Sequence, residues 1–116
     1  MPNFAQDIKD TVDEPIEAIV IGEFGGNGWG IEQLKFGEEL HPLIPWEMRG
    51  KILSPEVALP LLDYEYVVGY GELDCHAVYI WTKTKVWWVN EHDGATSLAF
   101  VPRNPTEGYP EMNGGR

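Results

Sequence analysis

The chain has 116 residues, of which 43% are hydrophobic and 12% aromatic, a composition typical of a globular domain rather than a disordered chain. Its net charge of −11 would repel nucleic-acid phosphates and anionic membrane surfaces, so direct binding to either is disfavoured. No apolar run approaches the roughly 20 residues that span a bilayer and the N-terminus lacks the features of a secretory signal, which predicts a soluble, cytoplasmic protein.

The negative charge is concentrated in the first part of the chain. Residues 1–74 hold 15 Asp and Glu against four Lys and Arg, a net of −11, whereas residues 75–116 hold four of each sign. Such a field attracts cations or a basic protein surface. Acidity also keeps a small protein soluble without any further role, and this simpler interpretation remains open.

A short amphipathic helix is predicted within residues 2–13. Phe4, Ile8 and Val12 recur every four residues, so they line one stripe of a helix. Pro15 ends this helix, because a proline disfavours helical geometry in the residue before it.

The next predicted elements are a strand and a second helix. Residues 16–24, IEAIVIGEF, are rich in β-branched side chains and predict a strand, which the glycines of GGNGWG end. Residues 31–53 show no sustained period and are predicted to be irregular. A helix follows with the Ser54 side chain as its N-cap and Pro55 at its first position, and Pro60 limits its length.

The strongest β pattern covers residues 76–101. Asp93 and Gly94 form a typical two-residue hairpin turn, since both tolerate positive φ. This turn pairs His92 with Ala95, Val89 with Leu98 and Trp87 with Phe100. A second turn at Lys83 and Thr84 pairs Trp81 with Val86, Ile80 with Trp87 and Val78 with Val89. The alternative is a three-residue loop with a bulge at Gly94, which would place Leu98 beside Trp88.

Alternation along these strands sorts the side chains onto two faces. The core face is predicted to carry Val78, Ile80, Trp87, Val89, Leu98 and Phe100. The second face is predicted to carry Tyr79, Trp81, Val86, Trp88, Asn90, Ser97, Ala99 and Val101. The adjacent Trp87 and Trp88 therefore lie on opposite sides of the sheet.

Together the elements predict an α+β fold. A small antiparallel sheet of about four strands, with a C-terminal meander over 76–101, packs with one or two short helices. Residues 1–103 form a single acidic domain, and residues 104–116 a flexible tail rich in proline and glycine.

Tyr79, Trp81 and Trp88 on the second face are the first candidate site. Tyrosine and tryptophan dominate the binding energy of protein interfaces. The more common outcome for such side chains is burial, here beneath a helix or the irregular segment as a second core layer.

The stretch DYEYVVGYGELD is the second candidate. Asp63, Glu65, Glu72 and Asp74 are interleaved with tyrosines including Tyr70, and carboxylates at this density imitate the phosphates of nucleic acid or ligate calcium. The fixed alternation of a calcium loop is missing, and a solvated acidic turn is the more common outcome. No metal site or cofactor is predicted.

Cys75, His76 and His92 support a different hypothesis, a small enzyme or ligand-binding domain with a pocket beside the glycine loop. Adjacent strand residues face opposite ways, so Cys75 and His76 cannot form a catalytic dyad with each other. The carboxylates of Glu72 and Asp74 would raise the pKa of the Cys75 thiol, and a buried structural cysteine is more common. Paired spacings for a zinc site are absent.

The block from Gly69 to Pro105 contains GYG, an aromatic-Thr strand end, the turn DGAT and a terminal PRNP. In these features it resembles small uncharacterised proteins of bacteriophages and mobile elements, over about a third of the chain. His92 stands where a tyrosine is more familiar in that turn. The resemblance implies no activity and no catalytic residues. In size and acidity the chain is similar to inhibitors of host defence, including anti-CRISPR proteins, that occupy the basic nucleic-acid channels of nucleases.

The leading functional hypothesis is a non-enzymatic acidic binding protein, phage-encoded and acting in the host cytoplasm. It would present Asp63, Glu65, Tyr70, Glu72, Asp74, Tyr79, Trp81 and Trp88 to a basic protein partner such as a defence nuclease, without a cofactor. One alternative is the enzyme or ligand-binding domain. Another is an oligomer-forming structural phage protein, a homodimer for instance, with its aromatic face buried between subunits.

Overall fold

The computed structural model describes residues 2–25, 44–66, 75–92 and 95–112. The helices are α1 (Phe4–Thr11) and α2 (Pro55–Leu61), with a short 3-10 turn over Trp46–Met48. The strands are β1 (Ile16–Phe24), β2 (His76–Thr82), β3 (Lys85–His92) and β4 (Ala95–Pro102). They form one antiparallel sheet in the order β1-β2-β3-β4. The predicted α+β fold is confirmed. The predictions for residues 26–43 and for the Asp93-Gly94 turn itself fall outside the described residues.

Helix α1 forms where the apolar stripe predicts it. The Asn3 side chain caps its start, since Oδ1 accepts a hydrogen bond from the Gln6 amide at 2.9 Å. Phe4 and Ile8 are buried, and the amide of Val12 still donates to the Ile8 carbonyl at 3.0 Å. The buried stripe fixes α1 against the sheet.

Helix α2 begins at the predicted residue but without the predicted cap. The Ser54 side chain makes no capping hydrogen bond. Its carbonyl oxygen instead accepts from the amides of Val57 at 3.1 Å and Ala58 at 2.9 Å. Pro60 lies inside the last turn and the helix ends one residue later, because proline cannot donate to the preceding turn.

The two-residue turn predicts the register of the last hairpin correctly. His92 faces Ala95, Val89 faces Leu98 and Trp87 faces Phe100. Trp88 faces Ala99 rather than Leu98, so the bulged alternative is wrong. In the preceding hairpin, Trp81 faces Val86 and Ile80 faces Trp87, also as predicted.

The core lies on one face of the sheet, between the strands and the two helices. Val78, Ile80 and Trp87 are buried there, while Val89, Leu98 and Phe100 are partly buried against them. Both helices contribute to this same cluster, which also contains Phe4, Ile8, Ile19, Ile21, Ala58 and Leu62. Neither of the two described helices therefore packs on the second face of the sheet.

Carboxylates between α1 and β1 hold the turn between β2 and β3. The Glu14 carboxylate accepts hydrogen bonds from Thr82 Oγ1 at 2.6 Å and Thr84 Oγ1 at 2.7 Å, while Asp13 pairs with Lys85 at 2.8 Å. We call these five residues the carboxylate clamp. Hydrogen bonds from the Thr82 hydroxyl, which has the largest effect, and from the Thr84 hydroxyl hold the pKa of Glu14 below its ordinary value.

The remaining features are simple. Residues 104–112 are exposed and belong to no helix or strand. Within the described parts of the chain, neither helix has the length and apolarity that crossing a membrane requires.

The two adjacent tryptophans should differ in their effect on stability. Replacing Trp87 with alanine removes a ring that is 3% exposed, and such core truncations cost about 3–5 kcal/mol. Trp88→Ala, the matched control on the half-buried second face, should cost less than about half of that. Urea denaturation of both variants measures the difference, and equal losses would contradict the assignment of faces.

The clamp should make stability depend on pH in the acid range. Because the folded-state pKa of Glu14 lies below the ordinary 4.5, its stabilisation is complete above pH 4.5 and is lost as the pH falls through the folded-state pKa. The free-energy difference between wild type and Glu14→Gln should therefore be largest near neutral pH and shrink in acid. Glu107→Gln in the exposed tail is the control, and its difference should stay near zero. A constant Glu14→Gln difference down to strong acid would rule out the linkage.

Candidate functional site

The second face of the sheet carries a cluster of three aromatic rings. Tyr79 on β2 lies directly across from Trp88 on β3, and Trp81 follows two residues after Tyr79 on the same side. The Tyr79 and Trp81 ring centroids are 5.9 Å apart at 73°, an edge-to-face contact. We call Tyr79, Trp81 and Trp88 the aromatic face.

The aromatic face is open in its centre. Tyr79 is 57% exposed, while Trp81 and Trp88 are half-buried. Helices α1 and α2 pack on the other side of the sheet, so the expectation that a helix covers these rings is wrong for both of them, while residues 31–43 of the irregular segment lie outside the described residues. Uncharged residues surround the rings on neighbouring strand positions, namely Ala18, Val20, Val86, Ala99 and Val101.

A cleft of about 290 Å³ opens beside the rings. Tyr79 and Trp88 form one wall, and the small residues Gly22 and Ala77 leave the space in front of them. A Cβ atom at Gly22 would lie 3.4 Å from the Cβ of Ala77, so the two strands already pack closely below the cleft. The far end is lined by Gly25, Gly50, Cys75 and His76.

His76 and Cys75 line the cleft but are turned into the core. His76 is 2% exposed, and its ring Nδ1 lies 2.8 Å from the Tyr64 hydroxyl. The backbone amide of His76 donates to the same hydroxyl at 2.9 Å. The thiol of Cys75, the single cysteine of the chain, is 1% exposed within the core cluster. Burial and these hydrogen bonds are typical of structural residues, while His92 is placed only by its pairing with Ala95 at the end of β3.

The acidic candidates lie on the helical side of the sheet. Asp63 and Glu65 are exposed, whereas Tyr64 and Tyr66 between them are buried. Asn3 at the start of α1 donates to Asp63 Oδ1 at 2.8 Å and forms a β-bridge with Glu65. The sheet thus separates Asp63 and Glu65 from the aromatic face, and the predicted single surface is not assembled from these residues. Tyr70, Glu72 and Asp74 lie outside the described residues.

Tyr66 extends this packing to α1. Its hydroxyl donates to Asp7 Oδ2 at 2.7 Å, and burial, reinforced by Asp7, raises the pKa of the phenol well above its ordinary value. Residues 62–66 are therefore anchored through Tyr64 and Tyr66, which leaves Asp63 and Glu65 at the surface.

The cleft is the part of the site that our sequence reasoning missed. The sequence contains one weak indication of the cleft, Gly22 within the predicted strand, since a glycine within a strand often marks a close backbone approach. The pairing of Gly22 with another small residue, Ala77, depends on the register between β1 and β2, which no turn signal specifies.

Metal chemistry finds no support in the part of the chain that the structure describes, where no group of three or more His, Cys, Asp or Glu side chains is placed to hold an ion. No protein-family model, curated protein or solved structure matches the chain.

Removal of the Tyr64 hydroxyl should destabilise the fold. Tyr64→Phe removes the hydroxyl that contacts both the buried amide and the ring nitrogen of His76, and the loss of two buried hydrogen bonds costs about 1–3 kcal/mol in total. Tyr79→Phe is the matched control, because its hydroxyl belongs to an exposed ring and should change stability by less than about 0.5 kcal/mol. Chemical denaturation measures the free energy of unfolding of both variants, and an unchanged value for Tyr64→Phe would disprove the structural role of this hydroxyl.

Proposed function

We propose that this protein acts by binding another protein, with the aromatic face as its contact surface, and that it is not an enzyme. The observation that carries the proposal is the open sheet face centred on Tyr79, which is 57% exposed and flanked by Trp81 and Trp88. Most soluble domains of this size cover such rings, and exposed aromatic patches mark interaction sites.

The residue types of the aromatic face and the cleft beside it both favour a protein partner. Tyrosine and tryptophan supply large contact areas with little loss of rotamer freedom. The cleft beside Tyr79 and Trp88 offers a recess in which a partner side chain becomes fully desolvated, the arrangement found at interface hot spots. The neighbouring strand positions are uncharged, so no carboxylate has to be dehydrated when the face is covered.

The acidity indicates what kind of partner approaches. A net charge of −11 accelerates encounter with a basic surface and repels nucleic acid. Asp63 and Glu65 are exposed beyond the sheet, where they act through the long-range field rather than by direct contact with the partner. In this proposal the aromatic face makes the contact, and the carboxylates on the other side of the sheet attract the partner at long range.

The finer proposal follows the resemblance in residues 69–105 to small phage proteins. On that basis the chain is a phage-encoded protein of the host cytoplasm, and its basic partner is a defence nuclease whose nucleic-acid channel it blocks, as anti-CRISPR proteins do. Support comes from that resemblance, the small size and the charge.

The proposal is tested with purified nucleases of this kind, including CRISPR effector nucleases, by measuring binding kinetics and DNA cleavage. Tyr79→Ala and Trp88→Ala should each weaken binding at least about tenfold, through faster dissociation. Tyr109→Ala is the control, since Tyr109 is 94% exposed in the tail. The double reversal Asp63→Lys, Glu65→Lys should slow association and flatten its salt dependence while dissociation stays nearly constant. Binding that survives loss of both rings would refute the aromatic face as the contact.

A second function is favoured by the cleft itself. With about 290 Å³ and mostly apolar walls, it is close to the smallest pockets that hold organic ligands. A small-molecule binding domain would be the better explanation if an apolar compound raised the melting temperature and Gly22→Leu, which fills the cleft, abolished that shift.

A further inference from the structure

Strand β4 forms one outer edge of the sheet. It pairs with β3 along its whole length, from Ala95 opposite His92 to Pro102 opposite Lys85, without a register shift. Every second residue of such a strand directs its amide and carbonyl away from its neighbour. Among the described residues, no backbone hydrogen bond or bridge reaches this outer side of β4.

The opposite edge of the sheet, strand β1, is protected against pairing with another strand. Beside β1, the amide of Ile19 donates to the Leu53 carbonyl at 2.9 Å, and the amide of Leu53 returns the same bond at 2.9 Å. Gly50 adds a hydrogen bond to the Ile21 carbonyl at 2.8 Å. Two register shifts interrupt the pairing of β1 with β2. Strand β1 also carries the exposed charges of Glu17 and Glu23.

Within the part of the chain that the structure describes, strand β4 has almost none of these protections. Its sequence ATSLAFVP contains no charged residue, and Pro102 at its end is its only residue without an amide. Natural proteins guard free edges with charges, bulges, proline or covering loops, because an unguarded edge pairs with another strand. An uncharged, regular eight-residue edge is suited to that pairing.

We propose that β4 pairs antiparallel with β4 of a second copy of this chain, giving a twofold-symmetric dimer with a continuous eight-stranded sheet. The two-fold axis stands perpendicular to the sheet, so equivalent faces of both copies lie on the same side. Leu98 and Phe100, partly buried against the core, then meet their counterparts and extend the apolar layer. This pairing does not depend on the proposed function.

The distribution of charge allows a second copy to bind at β4, although each chain has a net charge of −11. Residues 75–116 carry no net charge, and the whole surplus belongs to residues 1–74. Strands lie about 4.8 Å apart, which separates the two copies of β1 by roughly 34 Å across the dimer. The Debye length at physiological salt is about 8 Å, so repulsion between the exposed Glu17 and Glu23 on the two copies of β1 is screened while the uncharged β4 edges meet.

The test uses two matched charge variants of the edge. Ser97 is exposed and Val101 is 41% exposed, both on the second face, so charges there leave the core untouched. We expect sedimentation at micromolar concentration to give the wild type twice the 13.1 kDa mass of the chain. Ser97→Lys, Val101→Lys and Ser97→Glu, Val101→Glu should each raise the dimer dissociation constant at least about tenfold, because like charges oppose each other across the strands.

Mixing the lysine and glutamate variants provides the decisive rescue. Opposite charges then lie directly across from each other or on the diagonal between the two strands, and a heterodimer should form from two chains that are monomeric alone. Thr11→Lys, Thr106→Lys adds the same charge at exposed positions away from the edge and should leave the dimer intact. Circular dichroism verifies that all variants fold.

Hydrogen exchange of the wild type gives an independent measurement, with amide protection over residues 95–102 that rises with protein concentration. A wild type that is monomeric at 100 μM would overturn the proposal. So would a dimer that resists both edge variants, or one that breaks instead with Tyr79→Ala and Trp88→Ala, which would place the contact on the aromatic face. The proposal would also be overturned if the protein stayed monomeric and its strand β4 paired only with a strand of another protein.

Discussion

The antiparallel register of β3 and β4 is the constraint on which the rest of the structure depends. Once His92 faces Ala95, the strict alternation of strand side chains leaves Trp87 no position other than opposite Phe100. Trp87 then closes the core, with its indole nitrogen 3.4 Å from Thr82 Oγ1. A shift of β4 by one residue would leave Trp87 in the core but move Leu98 and Phe100 onto the face of Trp88, at a cost of several kcal/mol.

The same constraint creates an asymmetry between the two faces. Since both helices contribute to the core on one side, the residues of opposite parity have no covering layer from them. That side nevertheless carries Tyr79, Trp81 and Trp88, which a purely structural sheet would replace by polar residues. Apolar area retained at the surface is unfavourable for solubility, and its presence here supports the proposed binding role.

The acidic character of the chain divides into structural and free charge. Asp13 and Glu14 serve the clamp that holds the β2–β3 turn, and Glu17 pairs with Arg103 beyond β4. These carboxylates stabilise the meander from outside. Asp63 and Glu65 also sit beside anchored tyrosines. Net charge therefore overstates the negative surface that is available to a partner, and it explains steering better than direct contact.

The amino-acid sequence by itself determined the helices, the strands and the register of the last hairpin. Alternation and a two-residue turn are properties of neighbouring backbone geometry, so Trp87 and Trp88 could be assigned to opposite faces from residue spacing alone. Which face the helices cover, the cleft between Gly22 and Trp88, and the contact of Glu14 with Thr82 were decided only by the tertiary structure. These features join segments up to 68 residues apart, and their partners are selected by the packing of the whole chain rather than by any local pattern.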